Sequence, residues 1–313
     1  MSLPSHFGVL LVGHGTVKSV DELPDFLLAI RRGRPPSADL IAEMRHRYKA
    51  IGGSPLLKMT ESQGHALSRV LGCPVYVGMR FCQPSIEDAY RSALSDGIEW
   101  LSVVPMAPYN ALAYSDETAR RIGALAPETN SKIQLLNVPD WGNLPELIQA
   151  HAENIRTHAQ KELTSGAKLF LTAHSLPMRV INSGDPYGSL TAAAANSIGK
   201  SLGLDYELCY QSVGADGGDW LLPSLSERIT IAAQTGVKNV VVVPFGFLCD
   251  HVETLYDLDI ELRTQTNALN LELTRVPALG VHPGLIQTLA SLVNTSWSQR
   301  TNHNSFAREG TSV

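Results

Sequence analysis

Five carboxylates stand within the segment DHVETLYDLDIE: Asp250, Glu253, Asp257, Asp259 and Glu261. No lysine or arginine follows before Arg263. Glu253, Asp257 and Glu261 are spaced i, i+4, i+8, which on a helix makes one stripe. Like charges at that spacing destabilise a helix by about 0.2–0.5 kcal/mol per pair. A solvated acidic helix start, favoured by the macrodipole, accounts for Glu253 better than for Glu261. The functional alternative is a row of carboxylates serving a hydrated divalent cation or proton transfer. A period of four drifts sideways on an α-helix, and a π-type widening would straighten it.

Two histidines, His14 and His174, each end an apolar strand-like run. A lone histidine is usually a structural hydrogen-bonding residue, but two at equivalent strand ends favour a site. A neutral imidazole there accepts a proton or ligates a metal. The basic residues gather elsewhere, at Arg31, Arg32, Arg34, Arg45, Arg47 and Lys49. They read either as a solvated helix face or as guanidinium forks that clamp carboxylates or phosphates. Gly52-Gly53-Ser54-Pro55 follows and reads as a tight turn with amides exposed to an anion. Gly199-Lys200-Ser201 has Ala194 where a P-loop needs glycine, and Gly13-His14-Gly15 lacks the third glycine of a dinucleotide site.

These groups need elements to hold them. Strands are expected at 7–13, 74–79, 100–105, 133–138, 168–173, 206–211, 238–244 and 271–276. Helical patterns lie between them, at 84–96, 144–160, 187–202, 223–235 and 283–296. The alternation implies α/β architecture with parallel sheets. The halves also repeat. Pro84-Ser85 returns as Pro223-Ser224, Val103-Val104-Pro105 as Val242-Val243-Pro244, and Leu147-Ile148-Gln149 as Leu285-Ile286-Gln287. The first strands match at Leu11–His14 and Leu171–His174. Two similar domains are therefore expected, 1–160 with an insertion around 16–58, and 161–296, with a polar tail 297–313. Ligands of open α/β sheets sit beyond the C-terminal strand ends, so two such domains imply an interdomain cleft, with the strand-end residues His14, Arg80, Pro105, His174, Ser212 and Pro244 expected near its mouth.

Composition narrows the class. The chain has 313 residues, 44% hydrophobic and 18% charged, with 25 basic against 30 acidic residues and a net charge of −5. That balance excludes bulk disorder and argues against general nucleic-acid binding. No apolar run reaches spanning length, and the N-terminus lacks a basic leader, so a cytoplasmic protein without a transmembrane segment is expected. Cys73, Cys82, Cys209 and Cys249 form no C-x-x-C pair.

An ordered set of segments carries a family resemblance: IRRGRPP (30–36), RYKAIGGSPL (47–56), TAHSLP (172–177), SGDPY (183–187), YQSVG (210–214), WLLPSL (220–225) and VPFGFLCDHVETLYDLDIE (243–261). The chain resembles the ferrochelatases, which insert ferrous iron into a porphyrin. Its IRRGR and AIGG segments are most similar to the bacterial coproporphyrin enzymes. The resemblance implies two Rossmann-like domains in tandem (the chelatase fold) with the cleft between them. It implies His174 and Glu253 as the catalytic pair that handles pyrrole protons and metal, with Asp257 and Glu261 continuing the metal row. His14, Arg31, Arg32 and Ser54 take porphyrin-binding positions. Porphyrin and ferrous iron are then substrates, with no tightly bound cofactor, no iron–sulfur cluster, and transient contact with neighbouring haem-pathway enzymes.

The sequence also departs from the family. Close bacterial relatives often carry tyrosine where His14 stands. The G-H-G-T context is similar to sirohydrochlorin and cobalt chelatases, which makes His14 a candidate metal ligand. The A-P-x-x-S pattern reads Ala107-Pro108-Tyr109-Asn110-Ala111. Coproporphyrin III is the expected substrate. The alternatives are protoporphyrin IX, a sirohydrochlorin or cobalt substrate, and a non-catalytic haem-binding protein.

Overall fold

The computed structural model describes residues 3–129, 133–214 and 218–306. Eight strands form: β1 (Phe7–Gly13), β2 (Val75–Met79), β3 (Trp100–Pro105), β4 (Gln134–Asn137), β5 (Lys168–His174), β6 (Tyr206–Gln211), β7 (Asn239–Val243) and β8 (Glu272–Arg275). They make two parallel four-stranded sheets of matching order, β2-β1-β3-β4 and β6-β5-β7-β8. The inner strands read FGVLLVG and NVVVV because helices cover both faces of a parallel sheet. All eight sequence-read strands are present, with no end shifted by more than one residue.

The repeat is visible in local detail. Gln83–Pro84 and Leu222–Pro223 are both cis. Met79 N–H donates to the Pro84 carbonyl at 2.7 Å, and Tyr210 N–H to that of Pro223 at 2.8 Å. Each proline then leads into a helix, Ile86–Ser95 or Leu225–Gln234. Ser85 and Asp88 close the first of these with a reciprocal capping box.

The chain groups into two compact units, and neither is a continuous stretch. One unit holds the segment ending at Gly15, Lys58–Trp141 and the segment starting at Pro283. The other holds Thr16–Leu57 and Gly142–His282. Residues 16–57 therefore pack with the second sheet, and the terminal helices are exchanged. Helix Pro145–Thr164, which follows β4, packs against β7 and helix Tyr187–Leu202, whereas helix Pro283–Phe306, which follows β8, packs against β3 and β4. A division near 160 cannot express this, because periodicity shows that a helix has an apolar face but not which sheet covers it.

The polar tail read from 297 is corrected. Helix Pro283–Phe306 runs through that point, and Trp297 is 8% exposed. Its ring meets Phe7 at 5.3 Å and Trp100 at 5.5 Å, edge to face. One indole among polar residues is too sparse to register as a stripe. Residues 307–313 of that tail lie outside the described residues. Among the described residues no helix is long and apolar enough to cross a membrane.

Candidate functional site

Every strand-end residue singled out from sequence sits at a C-terminal strand end. His14, Arg80 and Ser212 follow β1, β2 and β6, Pro105 and His174 close β3 and β5, and Pro244 follows β7. The second unit carries the denser chemistry. His174 is half-buried, with Nε2 3.6 Å from Glu253 Oε1. Its Nδ1 makes a short hydrogen bond to the Ser175 carbonyl. A carbonyl only accepts, so Nδ1 carries the proton and Nε2 is left to exchange one. Burial pulls the imidazole pKa down, but Glu253, the Ser175 carbonyl and Asp257 together hold it above the ordinary histidine value.

Local backbone sets this pair. Gly246 lets the chain after β7 lie against β5, where a Cβ would come within 2.7 Å of Ala173 Cα. Its N–H donates to the Thr172 carbonyl at 3.2 Å. Gln211 Nε2, at the end of β6, donates to the Glu253 carbonyl at 2.8 Å. Three strand ends thus fix one histidine and one carboxylate.

Beyond Glu253 the helix widens. Residues Asp257–Leu262 are π-helical, with Glu261 N–H donating to the Tyr256 carbonyl at 3.0 Å. Residues four apart overshoot a turn in an α-helix and undershoot it in a π-helix. The drift from Glu253 to Asp257 and that from Asp257 to Glu261 therefore oppose each other. The straightened row anticipated from the spacing is what forms.

Four of the five carboxylates are sorted by two arginines. Arg275, 10% exposed at the end of β8, donates from Nη1 to Asp250 at 2.8 Å and from Nε to Asp259 at 2.9 Å, with a second short contact to Asp259. Arg47 reaches the row itself, donating to Asp257 at 2.8 Å and Glu261 at 3.2 Å, while Glu43 accepts from its Nε at 2.7 Å. Its guanidinium lies 4.7 Å over the Tyr256 ring. The Ser212 hydroxyl donates a short hydrogen bond to Asp257 from a left-handed backbone, φ +61°. Burial pushes the Asp257 carboxyl up to about 6, assisted by Glu253 and Glu261 and opposed by Ser212 and Arg47. A cavity of about 290 Å³ opens beside Arg47, Ser212, Asp257 and Glu261. Among the described residues, no three His, Cys, Asp or Glu side chains group around one point as a closed metal site would.

The remaining candidates of this unit lie within residues 16–57. Arg31 ends helix Leu23–Ile30, and Arg32 follows exposed at φ +53°. The Ser54 hydroxyl accepts from Leu56 N–H at 3.4 Å. The anion-holding turn at 52–55 is corrected. Gly52 N–H donates to the Lys49 carbonyl at 3.1 Å and Gly53 N–H to that of Tyr48 at 2.9 Å. These amides close helix Ala38–Ala50 in left-handed conformations, a common end for a helix.

The first unit carries a lighter counterpart. His14 is exposed, with Nδ1 3.5 Å from the Tyr114 hydroxyl and its ring edge-on to Phe81 at 4.9 Å. The Arg80 guanidinium lies 4.2 Å over the Tyr114 ring and donates to Glu117 at 2.9 Å. Sequence reasoning passed over Tyr114 and Arg275, and read Arg47 and Ser212 only as members of a cluster and a strand end. One signal was available: the offset of 139 that pairs Pro105 with Pro244 also pairs Tyr114 with Glu253.

Comparison with known proteins gives the family and the fold. The ferrochelatase family model matches residues 6–297. A ferrochelatase of Acidobacterium capsulatum is 34% identical over 92% of this chain and 93% of its own length. A coproporphyrin III ferrochelatase of Bacillus pumilus is 31% identical over 91% and 96%. In fold, the chain is similar to SirB from Bacillus subtilis, with a TM-score of 0.61, 15% identity and 95% and 97% of the two chains covered. A tandem parallel α/β repeat, a histidine–glutamate pair at a strand end and a match over nearly the whole length lead to one assignment: the chain belongs to the ferrochelatase family, enzymes that insert a metal into a porphyrin.

Proposed function

We propose that this chain inserts ferrous iron into coproporphyrin III, with protoporphyrin IX as the competing substrate. The observation that carries the reading is the His174–Glu253 pair at the head of the π-helical carboxylate row. Insertion exchanges two pyrrole N–H protons for one dication. His174 accepts one proton at Nε2 and Glu253 takes the other, and both partly exposed side chains pass their protons to solvent. Asp257 and Glu261 deliver the iron. Their shared partner Arg47 balances the charge of the unloaded row and gives way as a cation enters. Separate, partly exposed carboxylates suit a hard cation that must be handed on.

The basic cluster supports the substrate assignment. Arg31 and the exposed Arg32 are the members of that cluster placed to meet carboxylates of coproporphyrin, and curated relatives include coproporphyrin III ferrochelatases. The enzyme then acts in the cytoplasm, with iron as substrate rather than resident cofactor. The test is anaerobic ferrous-iron insertion with both porphyrins side by side, for the native chain and His174→Ala. Turnover that favours coproporphyrin and depends on His174 is expected. Preference for protoporphyrin overturns the substrate, and undiminished turnover in His174→Ala overturns the site.

A further inference from the structure

The repeat relates two histidine pairs. His14 and His174 occupy matching ends of the first strand of each sheet, β1 and β5. Tyr114 and Glu253 each lie nine residues beyond the proline that follows the inner valines, Pro105 and Pro244, and each opens the helix after that strand. The spacings are similar but the ring nitrogens differ: His14 Nδ1 lies 3.5 Å from the Tyr114 hydroxyl, whereas His174 turns Nε2 to Glu253 at 3.6 Å and Nδ1 to the Ser175 carbonyl. One scaffold therefore places a helix residue beside a strand-end histidine twice, once a carboxylate on Nε2 and once a phenol on Nδ1, and only the phenol leaves Nε2 facing elsewhere.

The two partners do different chemistry. A carboxylate adds charge and makes its histidine a stronger base, whereas a neutral phenol orients the ring without adding charge. Orientation is what a ligand needs, since metal-bound histidines use their second ring nitrogen to fix tautomer and direction. Tyr114 is itself immobilised, with Arg80 over its ring and Glu117 holding Arg80. Phe81 meets the His14 ring edge-on from another side.

We propose that Tyr114 is the positioning residue of His14, fixing its ring so that Nε2 is presented as a ligand to the iron of the tetrapyrrole product. In the ligating tautomer Nδ1–H donates to the Tyr114 oxygen and Nε2 keeps its lone pair. This assignment rests on the ferrochelatase reading above and adds a residue that the strand-end pattern alone does not reveal.

The experiment uses the full metal-free chain with ferric coproporphyrin III as probe, and compares the native protein with His14→Ala, Tyr114→Phe and His174→Ala. Absorption and electron paramagnetic resonance spectra report the axial ligand, titration reports affinity, and nitrogen-15 shifts of the imidazoles report the His14 tautomer before any probe is added. His14→Ala is expected to lose the histidine-ligated spectrum. Tyr114→Phe is expected to keep it, with affinity lowered about tenfold and with the His14 nitrogen shifts moved toward a mixture of tautomers. Should Tyr114→Phe fold poorly, Glu117→Gln releases Arg80 instead and is expected to move the same shifts less.

Unchanged His14 shifts and affinity within twofold in the folded variant overturn the proposal. An unchanged spectrum in His14→Ala, with insertion still abolished in His174→Ala, also overturns it while leaving the ferrochelatase reading intact. Insertion that survives His174→Ala removes that reading and this proposal together.

Discussion

The two units share a sheet order, a strand-end histidine and a cis proline before the same helix, yet only the second develops a carboxylate row. At the matching offset, Asp257 and Glu261 correspond to Thr118 and Ile122, both buried in the first unit. Helix Ala111–Thr129 stays α-helical there and packs its apolar face on the sheet, whereas the corresponding stretch of the second unit carries charge and widens. A duplicated scaffold thus supplies two strand-end positions at little structural cost, and substitutions on one helix decide which does the heavier chemistry. Buried arginine separates them further: Arg275 at the end of β8 stands where β4 ends with Asn137.

The comparison breaks most visibly at Glu253. Glu253→Gln keeps the shape and removes the charge, and insertion is expected to fall by about 100-fold or more, as for loss of a general base or its partner. Porphyrin and product binding should survive, as separate titrations would show. If the first unit carries the decisive proton transfer, Tyr114→Phe will cost more turnover than Glu253→Gln.

Arg275→Asn grafts the residue of the other repeat. It leaves the half-buried Asp250 and Asp259 without their shared cation, and losing hydrogen bonds to such a charged group costs about 1.5–3 kcal/mol. Urea unfolding would read this, and a loss below 1 kcal/mol would show that the two aspartates find other partners. Asp257→Asn and Glu261→Gln act more gently. Each is expected to raise the ferrous-iron KM about tenfold while the porphyrin KM stays within twofold. Parallel loss of both would make the row structural, like the helix face at Thr118 and Ile122.

The smallest effect concerns His151, whose repeat counterpart is the buried Leu289. Burial, with a contribution from His282, pushes the His151 imidazole down to about 3. The unfolded chain binds that proton near pH 6.5 and the folded chain does not, so stability falls as pH drops from about 6.5 toward 3. The slope from one such group is about 1.4 kcal/mol per pH unit. His151→Leu should flatten it in urea titrations at pH 5 and 7, and an unchanged slope would assign the acid sensitivity elsewhere.

Much of this was legible beforehand for physical reasons. Parallel strands covered on both faces are written as apolar runs, so all eight could be read. The i, i+4, i+8 spacing already posed the problem that the π-helix solves. The sorting of Asp250 and Asp259 to Arg275, and of Asp257 and Glu261 to Arg47, was not legible, because the partners lie far apart along the chain. Nor could the glycines at 52 and 53 be told apart from an anion loop, since a helix cap and an anion site use the same left-handed backbone.

Local sequence by itself determined the strands, the duplicated order and the family, since each is written in contiguous pattern or in repeat spacing. Tertiary structure alone decided which sheet each terminal helix covers, that Trp297 belongs to the core, and which arginine neutralises which carboxylate. Those outcomes depend on close packing and short-range charge pairing between residues more than two hundred positions apart in places, where periodicity carries no information.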